Sequence, residues 1–365
     1  MKLICDRLSL LEATAKVQGA TQNSSIPALE GIYFSASAGY LTMTGYNLEM
    51  GITTAVESQI DQDGSIILSA RYFSEIIKKL PSSTVSIETD DKYVCTIKSG
   101  ETRFSIIGMP PEEYPDLPSV SDGRSFTFSG KILSNMIRQT KFSVSKKDDK
   151  PVYTGILFEI KDGIINLVAV DGFRMAIRTE KINTEEEFKF IVPEKTLSEI
   201  QKLIGEDDKE IRISVERRHI IFEIDQYLVV SRLLEGDFID WKHTVPADYN
   251  TTVISDTKDL LSCVDRVSLV VNDRDRVFVR CKIRNNSFEA SCESTVGNAD
   301  DKVLVDIKGD EVEIGFNSRY LIDALRAVED DKIKLQLNGP QSPVKIVPCD
   351  GNDFLFLVLP VRISK

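Results

Sequence analysis

The segment Leu68–Ile76 reads LSARYFSEI, and it returns twice in related form further along the chain. The second copy is Val192–Ile200, VPEKTLSEI, and the third is Phe316–Ala324, FNSRYLIDA. Successive copies begin 124 residues apart. Each copy follows an apolar run, opens with a residue that favours a helix start, and continues with apolar residues at helical spacing. One period kept through three copies predicts a threefold repeat.

Short alternating or β-branched segments follow each predicted helix and are separated by polar turns. Such alternation is typical of antiparallel strands that bury one face. The front of the unit repeats as well, since Gly31–Phe34 lies 124 residues before Gly155–Phe158 and a second helical pattern precedes both. We therefore predict an α+β fold of three repeated domains, 1–124, 125–248 and 249–365, each with two helices packed on antiparallel sheets.

Composition limits the chemistry that the chain can perform. The 365 residues are 42% hydrophobic and 28% charged, as in an ordinary globular protein, and include only two histidines, His219 and His243. The six cysteines form no C-x-x-C pair, and the glycine motifs that cradle phosphates are missing. We predict free thiols in a reducing compartment, and no catalytic residues, metal site or cofactor.

Nothing in the sequence predicts a membrane segment. No window approaches 18 consecutive apolar residues, and Asp6 and Arg7 interrupt the apolar start that a secretory signal would need. We expect a cytoplasmic protein without a membrane partner.

The charge is distributed unevenly along the chain. The net charge is −12, yet the predicted helical windows taken together are basic, and Ser129–Lys147 holds five lysine or arginine residues and no acidic one. Clustered cations can hold a polyanion through its phosphates without reading bases. We therefore predict one basic helical face on an acidic body.

Four motifs, taken in order on this repeat, resemble the bacterial DNA polymerase III beta subunit family, the replicative sliding clamps. They are Gly155–Glu159 (GILFE), Val170–Ala176 (VDGFRMA), Glu235–Trp241 (EGDFIDW) and Leu359–Arg362 (LPVR). The resemblance implies a head-to-tail dimer that forms a six-domain ring around duplex DNA. Such a ring tethers the polymerase by topology, so the protein itself is a non-catalytic processivity factor.

The resemblance also implies the partners. They are double-stranded DNA without sequence preference, a second copy of the chain, the replicative polymerase alpha subunit, the clamp loader, and other proteins with a clamp-binding peptide, namely repair polymerases, ligase and mismatch repair proteins. Loading by an ATP-dependent loader agrees with the missing phosphate loop.

Partner proteins of this family insert a short linear peptide into a pocket between the second and third domains. The matching positions combine apolar side chains with a few that can carry a positive charge, which suits an extended peptide. For Leu357 and Leu359, an ordinary place in a core strand is the alternative. The positions are Tyr153, Val170, Gly172, Phe173, Arg174, Met175, Ile239, His243, Thr244, Leu357, Leu359, Pro360, Val361 and Arg362.

The family positions for DNA contact fall on an early loop, on the first copy of the repeated helix and on a lysine-rich loop. They are Asn23, Arg71, Lys146, Lys147, Lys150 and Tyr153.

A strand-rich chain of this kind ends in sheet edges that proteins normally pair or cover. Pairing one edge of the first domain with one edge of a second copy's third domain would close a ring. The candidate strand in the first domain is Thr102–Ile107, with Phe104 and Ile106 on one face. In the third domain, family position and an apolar run nominate Leu269 and Val270, for which local core packing is the alternative.

Two other classes of function stay open at this point. An enzyme of the carboxylate–metal phosphoryl-transfer type would use Asp171 or the Asp148–Asp149 pair, with its carboxylates converging on one cleft. A three-domain scaffold would bind peptides but no DNA. Retention on circular DNA that is lost when the DNA is linearised would separate a clamp from both.

Overall fold

A computed structural model describes residues 1–22, 25–118, 123–147, 149–206, 208–271 and 278–363. The chain divides into two structural units, each described by itself here. Unit 1 comprises Met1–Ser134 with Lys195–Leu233, and unit 2 comprises Asn135–Glu194 with Leu234–Lys365.

The helices of the described residues are short, and most follow a strand directly. The α-helices are α1 (Arg7–Val17), α2 (Ala70–Lys79), α3 (Gly130–Thr140), α4 (Glu194–Ile204), α5 (Trp241–Thr244), α6 (Thr257–Ser268) and α7 (Ser318–Ala327). Single 3-10 turns occur at Gln18–Ala20, Pro27–Glu30, Pro111–Glu113, Lys141–Ser143 and Pro151–Thr154.

All strands of the described residues pair antiparallel with their neighbours. They are β1 (Lys2–Asp6), β2 (Gly31–Ser37), β3 (Tyr40–Tyr46), β4 (Met50–Gln62), β5 (Gly64–Ser69), β6 (Thr84–Thr89), β7 (Val94–Ser99), β8 (Thr102–Ile107), β9 (Arg124–Ser129), β10 (Gly155–Lys161), β11 (Ile164–Val170), β12 (Arg174–Lys181), β13 (Phe188–Pro193), β14 (Glu210–Val215), β15 (His219–Ile224), β16 (Tyr227–Arg232), β17 (Thr251–Asp256), β18 (Val279–Arg284), β19 (Ser287–Glu293), β20 (Asn298–Leu304), β21 (Asp306–Gly309), β22 (Val312–Phe316), β23 (Lys332–Leu337), β24 (Val344–Pro348) and β25 (Phe354–Val358).

The repeated segments form α2, α4 and α7, as the spacing predicts, but their first residues differ in role. Asn317 caps α7, because its side-chain oxygen accepts hydrogen bonds from the backbone N–H groups of Arg319 (3.0 Å) and Tyr320 (3.4 Å). Ser69 precedes α2 without a side-chain cap. Pro193 is the last residue of β13 rather than the first of its helix.

Unit 1 is built on one sheet, which includes strands from both of its chain segments. Its strand order is β8-β7-β6-β1-β4-β16-β15-β14-β9, with β2, β3 and β5 joined beside β4. Helices α1 and α2 pack on each other and on β2 to β5. The buried Phe34 and Phe73 rings meet edge to face at 4.7 Å, which fixes α2 on the sheet.

Unit 2 contains two sheets, with a core between the strands and the paired helices α6 and α7. The larger sheet has the order β13-β10-β11-β12-β25-β24-β23-β17-β21, and the smaller has the order β20-β19-β18-β22. Buried residues such as Leu260, Leu321 and Phe356 belong to this core. A second, smaller apolar cluster lies on the other face of the larger sheet and is described below.

Both large sheets join strands from different repeats. In unit 1, β4 of the first repeat pairs with β16 of the second, and in unit 2, β12 of the second pairs with β25 of the third. The unpaired N–H and C=O groups of a strand edge are satisfied in this way. The repeats therefore share sheets, and the boundaries at 124/125 and 248/249 stay a prediction.

The cysteines are free thiols in the described residues, as predicted, and all but the half-buried Cys349 are buried. Burial raises the pKa of Cys5 and of Cys95 to about 12. Such thiols stay protonated and unreactive at neutral pH. Of the helices described, none is long and apolar enough to cross a membrane.

The difference in N-terminal capping between α7 and α2 can be tested by substitution. Replacing Asn317 with Ala leaves two backbone donors without a partner, which we expect to cost about 1 kcal/mol and to speed amide exchange in the first turn of α7 roughly fivefold. Ser69→Ala in the equivalent position of α2 is the matched control and should change exchange little. Hydrogen exchange with mass spectrometry measures both, and equal effects of the two substitutions would contradict this account of the helix starts.

Candidate functional site

The small apolar cluster of unit 2 begins with a cross-strand row on one sheet face. Met175 of β12 pairs with Leu357 of β25 on one side and with Val170 of β11 on the other. Directly paired residues of antiparallel strands project from the same face. All three are buried and belong to one cluster, which we call the pocket cluster. Leu357 thus lies in a strand, as its alternative assignment proposed, and also contributes to this cluster.

The wall of the pocket cluster comes from chain segments outside the sheet. Tyr153, Phe238, Trp241 and Val245 are half-buried and pack against it. The rings of Tyr153 and Phe238 meet edge to face at 5.4 Å. Large aromatic walls with adjacent apolar floor residues are typical of sites that take up apolar side chains.

A tight turn between β11 and β12 presents Phe173 to solvent. The Asp171 carboxylate accepts hydrogen bonds from the backbone N–H groups of Phe173 (2.9 Å) and Arg174 (3.0 Å). Gly172 has a φ of +88°, which favours glycine, so the VDGFR sequence is well suited to this turn. The Phe173 side chain is 53% exposed as a result.

Arg174 fixes this turn to helix α7. Its guanidinium donates to Asp171 Oδ2 (2.9 Å) and to Asp323 Oδ2 (2.7 Å), with its side chain only 8% exposed. It also lies over the Tyr320 ring at 4.6 Å, and Tyr320 in turn stacks on Phe173 at 5.9 Å. A buried cation needs such partners, because an unpaired one is strongly disfavoured.

The C-terminal segment crosses the same turn. Leu359 donates its backbone N–H to the Phe173 carbonyl (2.9 Å), and Val361 donates to the Gly315 carbonyl (2.8 Å). Leu359 and Arg362 are exposed, whereas Pro360 and Val361 are half-buried. The predicted C-terminal residues are therefore brought next to the predicted turn residues.

The remaining predicted segment lies around α5. Ile239 is exposed beside Phe238, and both His243 and Thr244 are exposed on the helix itself. The His243 ring is 2.8 Å from Asp240 Oδ2, and this hydrogen bond lowers the pKa of the Asp240 carboxyl. His243 and Thr244 thus face solvent, while Trp241 and Val245 of the same segment pack on the pocket cluster.

The predicted DNA-contact residues fall in different parts of the chain. Lys146 and Lys147 are exposed in a loop closed by a hydrogen bond from Ser145 N–H to the Tyr153 carbonyl (2.8 Å), and neither has an ion-pair partner among the described residues. Lys150 is exposed and lies over the Tyr153 ring at 5.4 Å. The ring of Tyr153 is engaged in the pocket cluster.

The other predicted DNA contacts belong to unit 1. Arg71 is exposed at the start of α2. Asn23 lies outside the described residues.

The predicted interface residues lie beside open sheet edges. Strand β8 is the first strand of its sheet, with Phe104 and Ile106 half-buried on one face, as the alternation predicts. Val270 packs partly on the unit 2 core, but Leu269 is 80% exposed. Ile107 on β8 and Leu304 on the edge strand β20 are 83% and 80% exposed. These are the most exposed large hydrophobic residues that the structure describes.

Family models match the chain in three consecutive stretches. The N-terminal, central and C-terminal domain models of the DNA polymerase III beta subunit match residues 1–118, 127–240 and 242–362. The chain belongs to the DNA polymerase III beta subunit family. Its fold is therefore that of three beta-clamp domains, and this family is a non-catalytic processivity factor in DNA replication.

Individual family members are similar over their whole length. The beta sliding clamp of Bacillus subtilis is 31% identical over 376 residues, with 99% of this chain and 100% of the relative covered. That of Halalkalibacterium halodurans is 32% identical over 378 residues, with the same coverage. The solved sliding clamp of Bacillus subtilis has a TM-score of 0.97 at 31% identity, and the beta subunit of Thermotoga maritima has 0.93 at 25%, each covering 100% of both chains.

Family membership does not favour the enzyme hypothesis, whose candidate carboxylates the structure places as follows. The Asp171 carboxylate is used by its own turn and by Arg174. Among the described residues, no three His, Cys, Asp or Glu side chains are grouped to hold a metal ion. Asp148 lies outside the described residues, and Asp149 is exposed.

Several residues that lie around the family's pocket positions or at sheet edges were not predicted from the sequence. Asp323 and Tyr320 lie on α7, far along the chain from the turn that they hold, so no local pattern identifies them. Phe238 and Trp241 belong to the EGDFIDW motif and could have been nominated with Ile239. Leu304 is an exposed residue of the edge strand β20, which only strand order identifies, whereas Ile107 belongs to the predicted edge strand but alternates away from Phe104 and Ile106.

The Arg174 network generates a stability prediction. Arg174→Ala leaves Asp171 and Asp323 without their cation, and we expect it to lower the free energy of unfolding of unit 2 by about 3 kcal/mol. Arg280→Ala is the control, because its pair with Glu313 is exposed and should contribute less than about 1 kcal/mol. Urea unfolding followed by fluorescence of Trp241, the single tryptophan, reports both. Equal shifts of the two variants would contradict the buried-network account.

Proposed function

We propose that this protein is the DNA sliding clamp of a bacterial replicase, in which two copies close head to tail into a six-domain ring around duplex DNA. The ring holds the replicative polymerase on its template by topology, without chemistry. The observation that carries the proposal is the succession of three beta subunit domain matches along the whole chain, together with whole-length similarity to sliding clamps.

Phosphate contact is assigned to the exposed cations Arg71, Lys146, Lys147 and Lys150, with Asn23 and Tyr153 as further candidates. The support is their exposure and, for Lys146 and Lys147, the lack of an ion pair among the described residues, which leaves them available to phosphates. Contacts of this kind position a duplex without reading its sequence. A clamp needs this property, because it must slide over any sequence.

Partner binding is assigned to the pocket cluster and its rim. The support is a buried apolar floor of Val170, Met175 and Leu357, an aromatic wall, and exposed Phe173 and Leu359 at the edge. A floor of this kind suits apolar anchors of an extended peptide. We assign to it the polymerase alpha subunit, the clamp loader, and repair polymerases, ligase and mismatch repair proteins.

Ring closure is assigned to the edge of β8 in one copy and the third domain of the other. The support is that exposed Ile107, Leu269 and Leu304 accompany the predicted Phe104, Ile106 and Val270 at these edges. Exposed apolar side chains at an unpaired edge favour association. The three modules would be 1–124, 125–248 and 249–365, and the ring would work in the cytoplasm on the nucleoid.

The test of the function separates a ring from a scaffold that binds peptides alone. Protein loaded onto nicked circular DNA by a bacterial clamp loader with ATP should stay with the DNA through gel filtration at high salt and should dissociate after the DNA is linearised. The physical reason is that a topological hold ends only at a free end. Equal dissociation from circular and linear DNA would contradict the proposal.

The DNA contacts can be tested by equilibrium binding to linear duplex DNA over a range of low salt concentrations, without the clamp loader. Lys146→Glu combined with Lys147→Glu should weaken binding to all duplex sequences and lower the log K against log salt slope by about 0.9 for each phosphate that is no longer neutralised. Lys308→Glu, an exposed residue of β21, is the matched control. Unchanged binding by the double variant would exclude these lysines from the DNA-binding surface.

The ring interface predicts a change of mass. Leu269→Asp with Val270→Asp places charges in an apolar contact, and light scattering should report about half the wild-type mass with native circular dichroism. Ile164→Asp alters an exposed apolar residue in a hairpin of unit 2 and serves as the control. A dimer mass retained by the double variant would exclude this interface.

A further inference from the structure

Lys345 lies on the same sheet face as the pocket cluster. Lys345 of β24 pairs with Leu357 of β25, and Leu357 pairs with Met175 of β12. Because directly paired residues share a face, these three side chains project to the same side of the sheet. The row thus runs from the apolar floor of the pocket cluster to a lysine one strand further on.

The surroundings of Lys345 leave its charge without a counter-charge. It is half-buried, and its ammonium lies 5.2 Å from the centre of the Tyr249 ring. No carboxylate pairs with it in the part of the chain that the structure describes. Burial is the cause that lowers the pKa of this ammonium group. Lys242 of α5, which follows the pocket-cluster residue Trp241, in contrast pairs with the Glu159 carboxylate.

A half-buried cation beside an apolar floor favours a ligand that supplies the missing negative charge. Burial removes water from the ammonium group. A carboxylate bound there therefore gains more interaction free energy than a carboxylate bound to a fully exposed lysine. The protein as a whole carries a net charge of −12, which repels acidic peptides. A local cation is therefore needed wherever an acidic side chain is to be accepted.

The spacing between strands determines where along a bound peptide the acidic side chain would lie. Lys345 and Met175 are two strands apart, which corresponds to about 10 Å, and an extended peptide advances roughly 3.3 Å per residue. We propose that Lys345 is a specificity-determining residue that selects partner peptides with an aspartate or glutamate about three residues from the apolar side chains entering the pocket cluster. This proposal rests on the proposed function, because it assumes that the pocket cluster binds a peptide.

The test uses a panel of defined probes. Fluorescein-labelled twelve-residue peptides with amidated C-termini carry a central Leu-Phe pair as anchors and glutamine elsewhere. Each member has a single glutamate at one position, from two to five residues before or after the anchors. Fluorescence anisotropy with the full-length protein gives the Kd of each peptide and of the parent peptide without glutamate.

The expected pattern links one peptide position to one lysine. Wild-type protein should bind the peptides with glutamate at one or two adjacent positions about fivefold more tightly than the parent peptide, and the gain should shrink with salt. The Lys345→Met variant should still bind the parent peptide but should show no gain in affinity from the glutamate. Lys308→Met is the control, because Lys308 lies on the same face three strands further along the sheet and should keep the gain.

The outcomes separate this proposal from the function on which it rests. A glutamate gain equal in wild type and in Lys345→Met, or no gain at any position, would overturn the role of Lys345 and leave the pocket intact. Met175→Ala should abolish binding of the panel peptides if the pocket cluster is their site. If no peptide binds the wild-type protein, or if Met175→Ala does not abolish binding, the peptide pocket is refuted, and the proposed role of Lys345 is refuted as well.

Discussion

Five residue pairs of one antiparallel ladder, between β12 and β25, hold together chain segments that are 176 to 184 residues apart in sequence. Their main-chain hydrogen bonds fix the register, and register alone decides which side chains share a face. A slip by one residue would turn Leu357 toward the unit 2 core and away from Met175. The pocket floor, the crossing of the C-terminal segment over Phe173 and the position of Lys345 all depend on this ladder.

Two cations beside the ladder illustrate different uses of charge. Arg174 is surrounded by partners that the protein itself supplies, two carboxylates and two aromatic rings, and so it holds the turn and α7 together. Lys345 lies over the Tyr249 ring and pairs with no carboxylate among the described residues, and we propose that a bound peptide supplies its counter-charge. In the proposed partner site, Arg174 would supply the rigid frame and Lys345 a selective contact.

Sequence reasoning succeeded where the determinants are local or repeated. The period of 124 residues, the presence of the three repeated helices and the alternation of Phe104 and Ile106 all follow from short-range patterns. It could not find the pairing of β12 with β25, because strand pairing between repeats depends on sheet edges and not on neighbouring residues. For the same reason it missed Asp323, which is 149 residues from Arg174, and the exposed edge residue Leu304.

Hydrogen exchange of the full-length protein, with and without a saturating peptide from the acidic panel, tests most directly whether the β12–β25 ladder forms the partner site. The account predicts slow exchange throughout the ladder in the free protein, because its amides are paired in the interior of a sheet. With peptide, added protection should appear together at 170–176 and 354–361. Fast exchange of the ladder in the free protein, or protection confined to one of the two segments, would contradict the account.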